Sequence, residues 1–160
     1  MKIRTLIFGL AALCLLASCG KEEGSNVVLP DPMFGDITDP AWTVDSNYDY
    51  SSSMTAVVEV TLLRADSMPV SADVWSIDTA DRLAAFVGDE CIGLAPPDDG
   101  GRFFLFIHAP SQSYAQVSLQ YYSRRLRNIF RTSTTFPFVN GSQQGTAAEP
   151  LLVQFRVDAQ

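Results

Sequence analysis

Four of the nine arginines crowd into eight residues: Arg124, Arg125, Arg127 and Arg131. A guanidinium is a planar fork of donors that matches carboxylate and phosphate-like oxyanions two bonds at a time. On a strand, Arg125, Arg127 and Arg131 would share a face, opposite Leu126 and Phe130. Such a face could meet sulfated or uronic-acid polysaccharide, or the acidic surface of a protein. A solvated edge that discourages sheet-to-sheet aggregation is the plainer use of the same charges. Tyr122 alternates onto the polar side of its strand with Gln116 and Gln120, where its ring could stack on a sugar. Trp42, Tyr48, Tyr50, Trp75 and Tyr114 could do the same, although core packing and loop anchoring use most such rings.

Other chemistry is thin. Asp78, Asp81, Asp89, Glu90, Asp98 and Asp99 cluster around one pair of strands and its loops. Converging carboxylates could hold Ca²⁺, a hard ion that takes six to eight oxygens. No metal-ligand spacing accompanies them, and turns and caps use aspartate for their own reasons. The expectation is therefore no cofactor, with calcium as the alternative. His108 is the only histidine, and no spacing ties it to a nucleophile or a second ligand. Neither G-x-S-x-G, nor H-E-x-x-H, nor a phosphate-binding glycine loop occurs. The chain reads as a non-enzyme.

The amino terminus carries an address. Lys2 and Arg4 precede the apolar run Leu6 to Leu16, too short for a membrane span and right for a signal peptide. Leu16-Ala17-Ser18-Cys19 then resembles the bacterial lipobox, in which the cysteine sulfur receives a diacylglycerol. The expected mature chain begins at acylated Cys19 and is about 142 residues long. Buried acyl methylenes anchor it at about 0.8 kcal/mol each. Lys21, Glu22 and Glu23 follow, similar to the lysine-plus-acidic export signal of Bacteroidota lipoproteins that reach the outer face of the outer membrane. The implied location is a lipid-anchored outer-membrane protein facing outward, with the periplasmic face as the alternative.

Loss of Lys2 and Arg4 takes the formal charge from −7 to −9, which argues against nucleic acid as a partner. Cys14 leaves with the signal and Cys19 is acylated, so Cys91 has no partner for an internal disulfide. The fold must stand on its apolar core, and 47% hydrophobic residues with 18% charged supply one. The reading divides the chain into a signal peptide (1–18), an acylated tether (19–40) stiffened by Pro30, Pro32 and Pro40, and one domain (41–160).

What positions the candidate residues is a succession of strands. In Thr55–Leu63 the set Ala56, Val58, Val60 and Leu62 makes one clean apolar face. Val74, Trp75 and Ile77 suggest a short second element. Arg82–Val87 and Glu90–Ala95 flank Gly88-Asp89, whose order suits a type II′ hairpin pairing Phe86 with Cys91 and Ala85 with Ile92. Ala84, Ala85 and Gly93 leave room for something bulky to cross that hairpin. Phe103–Ile107 is apolar on both faces and reads as a central strand. Ala115–Tyr122 alternates, one or two strands cover Ile129–Val139 with Pro137 implying an edge or bulge, and Leu151–Val157 closes the chain. Asn140–Gly145 reads as a polar loop. The pattern predicts an all-β chain, a single antiparallel sandwich of about 7–8 strands, with a closed barrel as the alternative.

Asp81-Arg-Leu-Ala-Ala-Phe-Val-Gly-Asp-Glu-Cys-Ile-Gly-Leu-Ala95, preceded by Trp42-Thr-Val-Asp45, Tyr48-Asp-Tyr50 and Met54-Thr55, resembles a β-rich module of secreted and surface lipoproteins of the Bacteroidota. The likeness spans roughly residues 42–155 and departs at Ile92, where those modules usually carry arginine. It implies fold and compartment, since the family has no assigned activity. The function expected is a surface lipoprotein presenting a binding or adhesion module for a glycan or protein. The alternative is an accessory lipoprotein of an envelope assembly.

Overall fold

A computed structural model describes residues 31, 33–45, 52–109 and 115–157. Among them are eight strands and no helix: β1 (Ser53–Leu63), β2 (Arg82–Val87), β3 (Glu90–Ala95), β4 (Arg102–His108), β5 (Gln116–Ser123), β6 (Asn128–Pro137), β7 (Gln143–Gln144) and β8 (Leu151–Arg156). They form two four-stranded sheets packed face to face. The chain is all-β and sandwich-like, as the strand pattern predicts.

In the first sheet β1 pairs antiparallel with β4. Its other edge takes β7 and then β8, both parallel to it. The second sheet runs β3-β2-β5-β6 and is antiparallel throughout. β1 turns Met54, Ala56, Val58, Val60 and Leu62 into the core, the apolar face its alternation requires. Leu105, Ile107, Val117, Leu119, Phe130, Val153 and Phe155 complete the interior from both sheets. Pro137 ends β6, an edge strand of its sheet, where a missing N–H is tolerated.

Several local expectations give way. β4 is not a central strand. Among the described strands its ladder partner is β1 alone, and Phe104 and Phe106 on its outward side remain 50% and 45% exposed. Val74, Trp75 and Ile77 form no strand; they sit in the loop before β2 and pack partly buried against the core. The 140–145 loop contains β7, held to β1 by the Thr55 amide donating to the Ser142 carbonyl at 3.1 Å.

The hairpin keeps half its expected register. Phe86 does face Cys91, and at the turn only Gly88 has a positive φ, 58°, as a type II′ turn requires. A bulge between Ala85 and Phe86 then moves Ala85 opposite Gly93 rather than Ile92. What crosses Gly93 is the backbone of β4. A Cβ there would lie 2.9 Å from the Phe106 carbonyl oxygen, so the glycine lets the two sheets approach at this side. Ile92 itself is fully buried.

Part of the segment expected as tether lies on the domain. Gly35 and Ile37 donate their amides to the carbonyls of Leu126 and Arg127, each at 2.9 Å, and Met33 is buried. Trp42 sets its ring edge against Phe86 at 5.8 Å. Stretch 33–45 thereby covers the outer face of the β2–β5 sheet, which is why Ala84, Phe86 and Tyr122 are buried although they point away from the core.

Candidate functional site

The arginine cluster does not form one face. Residues 124–127 are the turn between β5 and β6, not strand, and Arg127 has φ 53°. Turn geometry sends the three guanidiniums to two separate segments. Arg124 donates to the Thr38 carbonyl at 2.9 Å and Arg127 to the Asp36 carbonyl at 3.0 Å. Arg125 donates to the Asp73 carbonyl and reaches Ser76 Oγ at 3.5 Å. These charges tie the covering stretch and the 71–76 loop to the turn. Arg131 is separate: it sits exposed on β6, opposite Gln120.

Tyr122 is not a stacking surface. It is 2% exposed, and its hydroxyl lies 2.9 Å from the Thr38 carbonyl and 3.2 Å from that of Ile37, to which it donates. Alternation assigned it correctly to the outward face, but residues 37–38 roof that face. Trp42 and Trp75 are also spent on packing, since the Trp75 indole donates to Tyr121 Oη at 2.9 Å. Tyr48, Tyr50 and Tyr114, like Cys19, Lys21, Glu22 and Glu23, lie outside the described residues.

The acidic residues divide by role. Asp81 is fully buried and receives three donors: Tyr121 Oη at 2.5 Å, the Asp78 amide at 3.0 Å and the Arg124 amide at 2.7 Å. Burial raises its carboxyl above the ordinary range, against the pull of those donors. The same burial, with the Asp81 carboxylate beside it, pushes the Tyr121 phenol far up, so it stays a donor. Tyr121 also packs edge-to-face on Trp75 and Phe103, each at 6.0 Å, and stacks on Phe130 at 6.3 Å. This Asp81–Tyr121–Trp75 chain is the polar centre of the core, and the sequence reading missed it. Asp78 accepts the Ala80 amide, and Asp98 accepts those of Gly100 and Arg102. Among the described residues no group of three or more His, Cys, Asp or Glu converges as a metal site would need.

Burial shifts His108 and Cys91 both toward their neutral forms. Burial lowers the imidazole below its ordinary value and holds it neutral, with the Phe106 ring 5.1 Å away. Burial raises the half-buried Cys91 thiol, which disfavours the nucleophilic thiolate.

Several concavities open among the described residues, and two of them stand out by their chemistry. The first is the outer face of the first sheet. Register places Phe106 beside Thr55 and Phe104 beside Val57, and with Gln143 and Ala147 they line a shallow groove of about 380 Å³. Leu152 on β8 extends the apolar character at 68% exposure. The second is a polar cleft of about 180 Å³ between β6 and β8, with Arg131 and Arg156 in its wall. The groove was illegible because the run Phe103–Ile107 looks buried on both faces. The cleft was illegible because its arginines are 25 residues apart in sequence. Comparison of the chain with family models, with curated proteins and with solved structures gives no match.

Proposed function

We propose that the chain is a lipid-anchored outer-membrane protein, facing outward, whose β-sandwich is a non-enzymatic module that captures a glycan. The anchor and the orientation rest on Leu16–Cys19 and on Lys21-Glu22-Glu23, and the likeness of the 81–95 hairpin to Bacteroidota surface modules supports the compartment. The capture reading rests on one observation: Phe104 and Phe106 stand half exposed, two residues apart, on the outward side of β4. Exposed aromatic pairs are costly to keep in water and mark contact surfaces. The rings offer apolar faces to sugar rings, and Thr55 and Gln143 at the rim supply hydroxyl and amide groups to fix them.

The test uses the full-length chain in nonionic detergent on a glycan microarray, with a parallel pulldown from envelope extract. Capture of a glycan that Phe104→Ser with Phe106→Ser abolishes supports the reading. A protein captured through the same two rings, with no glycan, would move the assignment to an accessory lipoprotein of an envelope assembly. Capture of neither would refute both.

A further inference from the structure

The cleft between β6 and β8 lies toward the far end of the strands from the phenylalanine pair. Thr55 to Leu63 is eight steps of β1, on the order of 25 Å. Its wall is Arg131, Thr132, Ser133 and Thr134 of β6 with Gln154 and Arg156 of β8, closed by Leu63 of β1. Among the described residues no acidic side chain lines it, although acidic residues outnumber basic ones 18 to 11 in the whole chain. Two arginines therefore share the wall of one small concavity.

The two arginines are not equivalent. Arg156 is held in place, donating to the Ala65 carbonyl at 2.9 Å and to Ser67 Oγ at 3.2 Å. The Arg131 side chain makes no hydrogen bond or ion pair with any described residue, unlike those of the seven other arginines of the domain. Its fork is available to a ligand. Around it are hydroxyls and an amide, groups that hydrogen-bond sugar hydroxyls, and one apolar side chain. At about 180 Å³ the space is below the roughly 300 Å³ where drug-sized pockets begin, so it suits one substituted sugar ring of a longer chain.

We propose that this cleft binds an acidic sugar, a uronate or sulfate-ester residue of a polysaccharide, with Arg131 as the anion-reading side chain. This goes beyond glycan capture on the phenylalanine face, because it assigns a separate contact and the ligand's charge. Arg131 alone replaces the face of Arg125, Arg127 and Arg131 expected from the sequence.

The experiment is titration of the full-length chain in nonionic detergent with polygalacturonate and sulfated-dextran oligosaccharides. Neutral dextran oligosaccharide, a poly-glutamate peptide and inorganic sulfate are the comparison probes. Loss of one bidentate charged contact is expected to weaken binding about tenfold or more in Arg131→Gln. Arg131→Lys should fall between, and added salt should weaken the wild type. Phe104→Ser with Phe106→Ser should leave the Arg131 dependence in place, which separates failure of this site from failure of the phenylalanine groove. Arg131→Gln breaks no hydrogen bond or ion pair to a described residue, so an unchanged melting temperature shows that the loss is in binding. Acidic-oligosaccharide binding that survives Arg131→Gln overturns the proposal. So does absence of such binding, or poly-glutamate or inorganic sulfate binding as tightly as the saccharide.

Discussion

Replacing Asp81 by asparagine removes one negative charge and changes almost no volume, so its effect isolates the hydrogen bonding at the centre of the core. The carboxylate is fully buried and accepts from Tyr121 Oη, the Asp78 amide and the Arg124 amide. Asparagine has one acceptor oxygen and one donor NH₂. If its oxygen faces Tyr121 and Asp78, the NH₂ confronts the Arg124 N–H; flipped, it confronts the Asp78 N–H. Either way one buried backbone amide is left without an acceptor, at about 1–3 kcal/mol. Relief from burying a charge offsets part of this near neutral pH. The sign follows from the raised folded-state carboxyl: the native protein holds the proton to higher pH than the unfolded chain. Wild-type stability from this group is therefore greatest below the unfolded value of 3.8 and declines as pH rises through the folded value. Asparagine has no such dependence. The wild-type advantage over Asp81→Asn should be larger near pH 3.5 than near pH 7, and should come to about 1–2 kcal/mol at pH 7. Urea unfolding followed by tryptophan fluorescence measures it, since Trp75 donates into the same chain through Tyr121. A gap that widens as pH rises would refute the reasoning, because it would mean that the three donors lower the carboxyl more than burial raises it.

Tyr121→Phe leaves the Trp75 indole without its acceptor and Asp81 without one donor, so a loss of about 1–3 kcal/mol in the same assay is expected. Arg127→Gly relieves a φ of 53° but surrenders the bond to the Asp36 carbonyl; its stability should stay within about 1 kcal/mol of wild type, whereas Arg127→Val should lose clearly more. Gly93→Val drives a side chain into the Phe106 carbonyl and should lower the melting temperature by several degrees in a calorimeter. Metabolic labelling with a clickable fatty acid should tag the wild type and not Cys19→Ser; equal label in both would remove the anchor from the proposed function.

Alternation carried most of the fold. In β1 it separates Ala56, Val58, Val60 and Leu62 from Thr55 and Glu59 without reference to any other part of the chain. The Gly88-Asp89 turn is equally local, because only the first central position needs a positive φ. Where the reading fails, the deciding contact comes from far away in sequence. Tyr122 is outward-facing by its own strand and buried only because Ile37 and Thr38, 85 and 84 positions earlier, supply carbonyls to its hydroxyl. Phe104 and Phe106 look like core because Phe103, Leu105 and Ile107 are core, and nothing within the strand says that its outer side stays half exposed. β7 is two residues long, Gln143 and Gln144, and exists because β1 offers them a ladder.

The same distinction explains the arginines. Spacing treats Arg125, Arg127 and Arg131 as one row, which holds only if the backbone stays extended between them. At Ser123 the chain instead leaves β5, and Asp81 accepts the Arg124 amide, so the first break in the row is fixed by a buried carboxylate 43 residues upstream. Once that turn is set, Arg124 and Arg127 meet the carbonyls of the covering stretch, and Arg125 meets the 71–76 loop. Arg131 lies past the turn, back on an extended strand, with its side chain exposed. A buried acid of the core thus divides three structural arginines from one that can reach solvent. Shifting the turn, as Asp81→Ala would by leaving the Arg124 amide without its acceptor, should loosen residues 33–38 before it disturbs β1 or β4. Amide hydrogen exchange checks the order: faster exchange at Gly35 and Ile37 with unchanged protection at Val58 supports it, and uniform acceleration would show that the turn and the core melt as one unit.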